Sequence, residues 1–259
     1  MARPRIVRME LRHRALQVLC LADPEQKAAA ALELFAQAAT LSIADTAPAA
    51  PTDPDALPGR PERPELLQAA SPTQRADHLI EIYPWLAPET LEAAAVHIVN
   101  ENASFKSRWR RLVALADKFN TAIGDLAACR NGCCYCCSMP TLIYRHEAVI
   151  LSRASGRTCV ELSFRPHQQV LAETETVPIR PCPFLASGRC SVYEKRPMIC
   201  RLHNSLNDNP RDCDLSVPQG LRGEVMAFNP DLIEMAYHAL VRSHSPRASW
   251  GTIHQFFPN

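Results

Sequence analysis

Five cysteines fall within nine residues: Cys129-Arg-Asn-Gly-Cys133-Cys134-Tyr-Cys136-Cys137. Ionised thiols repel one another, so such a group needs a cation among the sulfurs or oxidation in pairs. Cys129, Cys133, Cys136 and Cys137 give the spacing Cys-x3-Cys-x2-Cys-Cys. Gaps of two to four residues let a turn aim successive thiolates at a common centre. Gly132 permits the backbone conformations that such a turn uses. A helix beginning at Cys133 would set Cys133, Cys136 and Cys137 on one face, and Cys134 would point elsewhere. Amides at the turn would stabilise thiolate charge.

A second group follows: Cys182-Pro-Phe-Leu, then Cys190, then Cys200. These gaps are too long for one metal knuckle and suit loops returning to a site founded elsewhere. Gly188 fits a turn before Cys190. Arg196 and Arg201 can offset thiolate charge and donate hydrogen bonds to sulfur or carbonyls. Tyr193 can supply packing and one hydrogen bond. Cys134, Cys213 and His203 are further candidate ligands. Glu147 is a candidate ligand, acid or helix cap. Cys20 reads as a buried apolar cysteine. Zinc takes four ligands in closed tetrahedral sites, and a cubane iron–sulfur cluster also takes four cysteines. Seven or eight candidates exceed one such site. Adjacent Cys136 and Cys137 cannot easily chelate one tetrahedral ion, which favours a polynuclear centre or two sites. Zinc and iron both stay open.

The remainder of the chain must position these sulfurs. It has 259 residues, enough for one good-sized domain or two small ones without metal or disulfides to form a core. Hydrophobic residues make up 47% and aromatics only 6%, and alanine is abundant, which favours helices over sheets. A net charge of +1 gives no global argument for nucleic acid. No apolar run approaches the roughly 20 residues of a membrane span. The basic stretch from Arg3 to Arg14 and the apolar run Ala15 to Ala22 imitate a secretory signal, but Glu10 interrupts them and no small-residue cleavage site follows. A cytoplasmic protein is expected, and in reducing cytosol clustered cysteines are more often metal ligands than disulfides.

The fold class read from this pattern is mainly α with an irregular cysteine-rich metal-binding domain, α+β at most, with few short strands. Residues 1–44 read as an N-terminal helical segment, and its helices could recruit a protein partner. Residues 45–70 carry prolines at 48, 51, 54, 58, 61 and 64 and read as a linker or arm. Residues 71–125 read as helical. Ser71-Pro72 opens a short helix that stops near Pro84. Pro88-Glu89 opens a longer one with Leu91, Ala95, Ile98 and Val99 on one face, and a third runs through Trp109, Leu112, Ala116 and Phe119. Arg108, Arg110 and Arg111 on it read as a solvated face rather than an anion site. Residues 126–243 form the cysteine-cluster domain. Met139 to Tyr144 is expected as a strand, then a helix from about Arg145 to Arg153 ending near Gly156. Val160 to Phe164 reads as another strand, and Arg165 to Thr174 as a helix. Residues 178–220 read as irregular and organised by metal. Pro230-Asp231 opens a last helix, and residues 244–259 read as a tail.

Taken in order, Cys-x3-Cys-x2-Cys-Cys, Cys-Pro-Phe-Leu, Gly-x-Cys-x-x-Tyr and Arg-Pro-x-x-Cys-Arg resemble the YkgJ-type cysteine-cluster family, a zinc- or iron-chelating CxxCxxCC domain. The resemblance covers about residues 125–205. It implies Cys129, Cys133, Cys136, Cys137, Cys182, Cys190 and Cys200 as metal ligands, and Glu147 falls where the family often has an acidic residue opening a helix. Cys134 stands outside the pattern. A fainter resemblance links Leu21–Lys27 and Pro58–Leu66 to the N-terminal arm of an uncharacterised ferritin-like family. Glu10 to His13 is the only Glu-x-x-His pair, so no di-iron site is carried over.

Three functions compete. The first is a metal-binding module holding zinc or iron, an iron–sulfur cluster included. The second is an iron or iron–sulfur enzyme with a redox or group-transfer role. Flagellin lysine N-methylases carry a similar cysteine pattern, but no glycine-rich cofactor loop or acid/base pair is readable here. The third is a thiol redox sensor with Cys134 as its exposed reactive residue.

Overall fold

A computed structural model describes residues 71–258 except 125, 130, 131 and 229. The expected N-terminal helices, the proline-rich arm, Cys20 and the ferritin-like arm lie outside the described residues. The described residues 71–165 and 170–258 fall in one compact unit, and the cysteine-rich blocks lie within it.

The fold is mostly helical with small sheets, in line with the composition. Helix α1, Pro72–Ile82, starts at a capping box in which Ser71 and Gln74 satisfy each other's amides, with Pro72 pre-set for the first turn. Helix α2, Pro88–Asn100, buries Leu91 and Ala95. Helix α3, Phe105–Gly124, buries Leu112, Ala116, Phe119 and Ile123, the repeat expected from their spacing. Strand β1, Leu142–Tyr144, runs into helix α4, Arg145–Ser155. That helix ends at Gly156, whose left-handed φ of 73° a side chain would resist. Helix α5 spans His167–Thr174. Strands β2, Leu185–Ala186, and β3, Arg189–Cys190, form a tight hairpin. Ser187 and Gly188 both take positive φ at its tip, which is why the chain reverses just before Cys190. Helix α6, Met198–Leu202, is short, and helix α7, Asp231–His244, is the last long one.

Residues after 244 do more than trail. Strand β4, Trp250–Thr252, pairs antiparallel with β1, matching Leu142 to Thr252 and Tyr144 to Trp250. Helix α8, Ile253–Phe256, follows. Residues 160–164, expected as a strand, form none. Val160 donates to the Phe256 carbonyl at 2.8 Å, and with no ladder beyond that bond the alternating pattern has nothing to pair with.

Two apolar clusters result. The larger joins α1, α2, α3, α6 and α7 through residues such as Leu79, Leu91, Phe119, Leu202 and Leu240. The smaller gathers Ile143, Ala148, Leu151, Phe184, Val192, Ile253, Phe256 and Phe257, and Cys182 and Cys190 pack against it. Among the described residues no helix is long and apolar enough to cross a membrane.

Arg75, fully buried on α1, donates to the Leu206 carbonyl at 2.5 Å and to Asp208 at 2.6 Å. It pins the segment after α6 to the helical core. Arg75→Ala strands a buried carbonyl and leaves a void. Urea denaturation is expected to show a loss of about 2–4 kcal/mol. Asp208 is largely exposed, so Asp208→Ala should cost no more than about 1 kcal/mol.

Candidate metal centre

The two cysteine blocks, far apart in sequence, meet through the backbone. The Cys182 amide donates to the Cys137 carbonyl at 2.7 Å. The first block does not run into a helix at Cys133. A short 3-10 turn, Tyr135–Ser138, carries Cys136 and Cys137 instead, and Gly132 before it takes a φ of 97° that favours glycine. Cys190 ends the β2–β3 hairpin and Cys200 sits within α6. Cys213 closes another 3-10 turn, Pro210–Cys213. No disulfide joins any of the ten described cysteines.

The charges that each thiol feels sort the cysteines by neighbourhood. Burial, then the adjacent Cys133, pushes Cys129 up to about 11, against a lowering bond from the Ser205 backbone. Burial, then Cys129 and Cys133, pushes Cys213 up to about 12, and a hydrogen bond with the Ser205 side chain opposes this. Burial takes Cys182 up to about 11, with Cys137 and Cys190 adding to it and Arg157 opposing. Cys190 is raised by burial and by Cys137, with Arg196 opposing. Cys200 is held well above the usual thiol range by burial, then by Cys182, Cys137, Cys190 and Glu147. One neighbourhood is therefore Cys129, Cys133 and Cys213, and the other is Cys137, Cys182, Cys190 and Cys200.

Cys136 stands between them. Its hydrogen bond to Cys137 keeps it protonated and is followed by burial and by Cys137, Cys129 and Cys200. The same bond favours thiolate at Cys137 and lowers it below the ordinary range. Cys134 is raised by burial, then by Cys137 and Asp214, so among the thiols it faces the second neighbourhood through Cys137. Cys159 lies at 3.5 Å from an Arg145 nitrogen and packs against the smaller core.

Glu147 is used by backbone. One carboxylate oxygen accepts the Tyr144 amide at 3.2 Å and the other accepts the Met198 amide at 2.8 Å. The side chain thus caps its own helix and the start of α6, which carries Cys200. Arg201 does not reach the sulfurs. It donates to the Arg196 carbonyl at 3.0 Å and the Glu194 carbonyl at 2.8 Å, and pairs with Asp117 on α3. Arg196 stacks on Tyr193 at 4.1 Å, which holds its charge near Cys190. His203 is the C-cap of α6.

Sequence reasoning missed Ser205, which touches both Cys129 and Cys213, and whose carbonyl accepts the Ala128 amide at 2.8 Å. It also missed Asn204 and Asn207. Asn204 exchanges hydrogen bonds with the Phe228 backbone, and Asn207 bonds to Asp212 and to the backbone of Glu224 and Met226. The run His-Asn-Ser-Leu-Asn-Asp in a proline-rich loop was the available signal, because such side chains bond nearby backbone.

Among the described residues no three or more His, Cys, Asp or Glu side chains are arranged to hold an ion as they stand. The donor set nonetheless fits zinc or iron, both of which take thiolates.

Glu147→Gln is expected to lower stability by about 1–3 kcal/mol, because an amide NH2 would face a backbone N–H. Bound zinc and iron per folded chain should stay unchanged. Metal lost without any loss of stability would instead make Glu147 a ligand.

Comparison with known proteins agrees with the cysteine pattern. No curated protein and no solved structure matches the chain. Residues 128–214, about a third of the chain, match the family model CxxCxxCC, described as "Putative zinc- or iron-chelating domain", and this supports the cysteine-cluster family that the motifs resemble.

Proposed function

We propose that the protein is a metal-binding module whose cysteines hold zinc or iron at two neighbouring centres. One would use Cys137, Cys182, Cys190 and Cys200. The other would use Cys129, Cys133 and Cys213, with Cys136 at the junction. The observation that carries this reading is the sorting of the thiols into two neighbourhoods, with adjacent Cys136 and Cys137 at their meeting point. A cation removes the mutual repulsion of buried thiolates, and four sulfurs complete one tetrahedral shell. Thiols act as ligands only when reduced, so a cytoplasmic setting goes with the reading. The bound ion would supply fixed positive charge that locks the loops carrying these cysteines.

Metal analysis of oxygen-protected protein tests it. Two equivalents per chain are expected. Cys182→Ser should lose one and keep the other, and Cys213→Ser should lose the complementary one. If either substitution empties the protein completely, the two-centre reading is wrong. Visible charge-transfer absorption with matching sulfide would assign a cluster in place of single ions.

Uptake should also depend on pH. Cys129, Cys182 and Cys213 are held at about 11, 11 and 12, so each keeps its proton at neutral pH in metal-free protein. Binding must expel those protons, and affinity rises as pH rises towards those values. The slope is about tenfold per pH unit for each proton displaced. Chelator competition at several pH values measures it, and a flat profile would exclude these thiols as the ligands.

A further inference from the structure

Away from the thiols lies a cavity of about 430 Å³, within the range of about 300–1,000 Å³ typical of small-molecule sites. Phe105, His146, Phe164, His244 and Arg247 line it. Phe105 and His244 lie face to face, with centroids 4.4 Å apart and planes 13° from parallel. His146 meets Phe105 edge-on at 5.3 Å. The Arg247 guanidinium lies 5.4 Å from the centre of the Phe164 ring.

The charge balance of the lining has a sign. Glu161, its one carboxylate, is paired with Arg145 at 2.7 Å. Arg247 is exposed and pairs with no carboxylate among the described residues. One cationic fork therefore remains uncompensated beside two imidazoles and two phenyl rings. A guanidinium recognises carboxylate or phosphate in a planar, bidentate manner, and an aromatic lining packs well against another flat body. An organic cation would meet Arg247, and a short aliphatic anion would gain little contact with the aromatic lining.

The cavity also touches the support of the cysteine region. His146 Nε2 lies 3.2 Å from the Tyr237 hydroxyl, and Tyr237 hydrogen-bonds with Glu147, the cap of the helix carrying Cys200. A ligand here would rest against that chain of contacts.

We propose that this cavity binds a small organic anion that carries an aromatic ring and one carboxylate or phosphate group. The assignment is independent of the metal reading. Isothermal titration calorimetry of the full chain, purified with whatever metal it holds, tests it with 1-naphthoate as probe. Acetate and 1-naphthylmethylamine serve as the ring-free and charge-reversed comparisons. One saturable site for naphthoate is expected, with both comparisons at least about tenfold weaker. Arg247→Ala, at an exposed position, should weaken naphthoate by about tenfold or more. Arg242→Ala, which removes a cation 5.9 Å from the same Phe164 ring but outside the lining, should leave it within about twofold. The proposal is overturned if naphthoate fails to saturate, if the amine binds as well, or if Arg247→Ala binds naphthoate undiminished.

Discussion

Buried thiols attract one another only weakly, as in the Cys136–Cys137 hydrogen bond, and once ionised they repel. For Cys129, Cys136, Cys182, Cys200 and Cys213 the leading causes that favour the protonated thiol are burial and neighbouring cysteines. Their closeness must therefore be imposed from outside the sulfurs. The backbone does much of this. The Cys182 amide is tied to the Cys137 carbonyl, and the Ala128 amide to Ser205. Neither bond involves sulfur.

Charged side chains turned towards backbone complete the scaffold. Glu147 caps two helices that begin far apart in sequence. Arg201 gathers the carbonyls of Glu194 and Arg196 and anchors them to Asp117 on α3. Arg75 does the same for Leu206. A loop region without long ladders leaves many carbonyls and amides inside the protein, and each needs a partner. Arginine suits the carbonyls because one guanidinium supplies five donors in a fixed fork. The arginines near the cysteines thus serve the loops first. Arg196 lowers Cys190, and it does so from its seat on the Tyr193 ring rather than as a ligand partner.

The helices were legible because their signals are local. Ser71-Pro72, Pro88 and Gly156 act within one turn, and the apolar repeat of α3 is read directly from its residues. Strand β1 was legible as an apolar run, but β4 was not. Trp250-Gly-Thr is too short to announce itself and exists because β1 offers a ladder. The stretch at 160–164 had the better alternating pattern and no ladder, so it stayed irregular. The cysteine spacings identified which thiols to consider. They could not show that Cys213 joins Cys129 and Cys133, because that depends on how loops return.

The arrangement of the two apolar clusters gives the adjacent pair Cys136 and Cys137 a physical reason. Cys182 and Cys190 rest against the smaller core, with Phe184 and Phe257 behind them. Cys129 follows Leu126, and Ser205 precedes Leu206, both members of the larger core. The β1–β4 pair lies along the seam, with Tyr144 and Trp250 in the larger cluster and Ile143 in the smaller. A chain passing from one side to the other has to switch thiol neighbourhoods somewhere. It does so between residues 136 and 137, where one thiol hydrogen-bonds the next. On the proposed two-centre reading, two neighbouring cysteines that would crowd one tetrahedral ion would each face a different one.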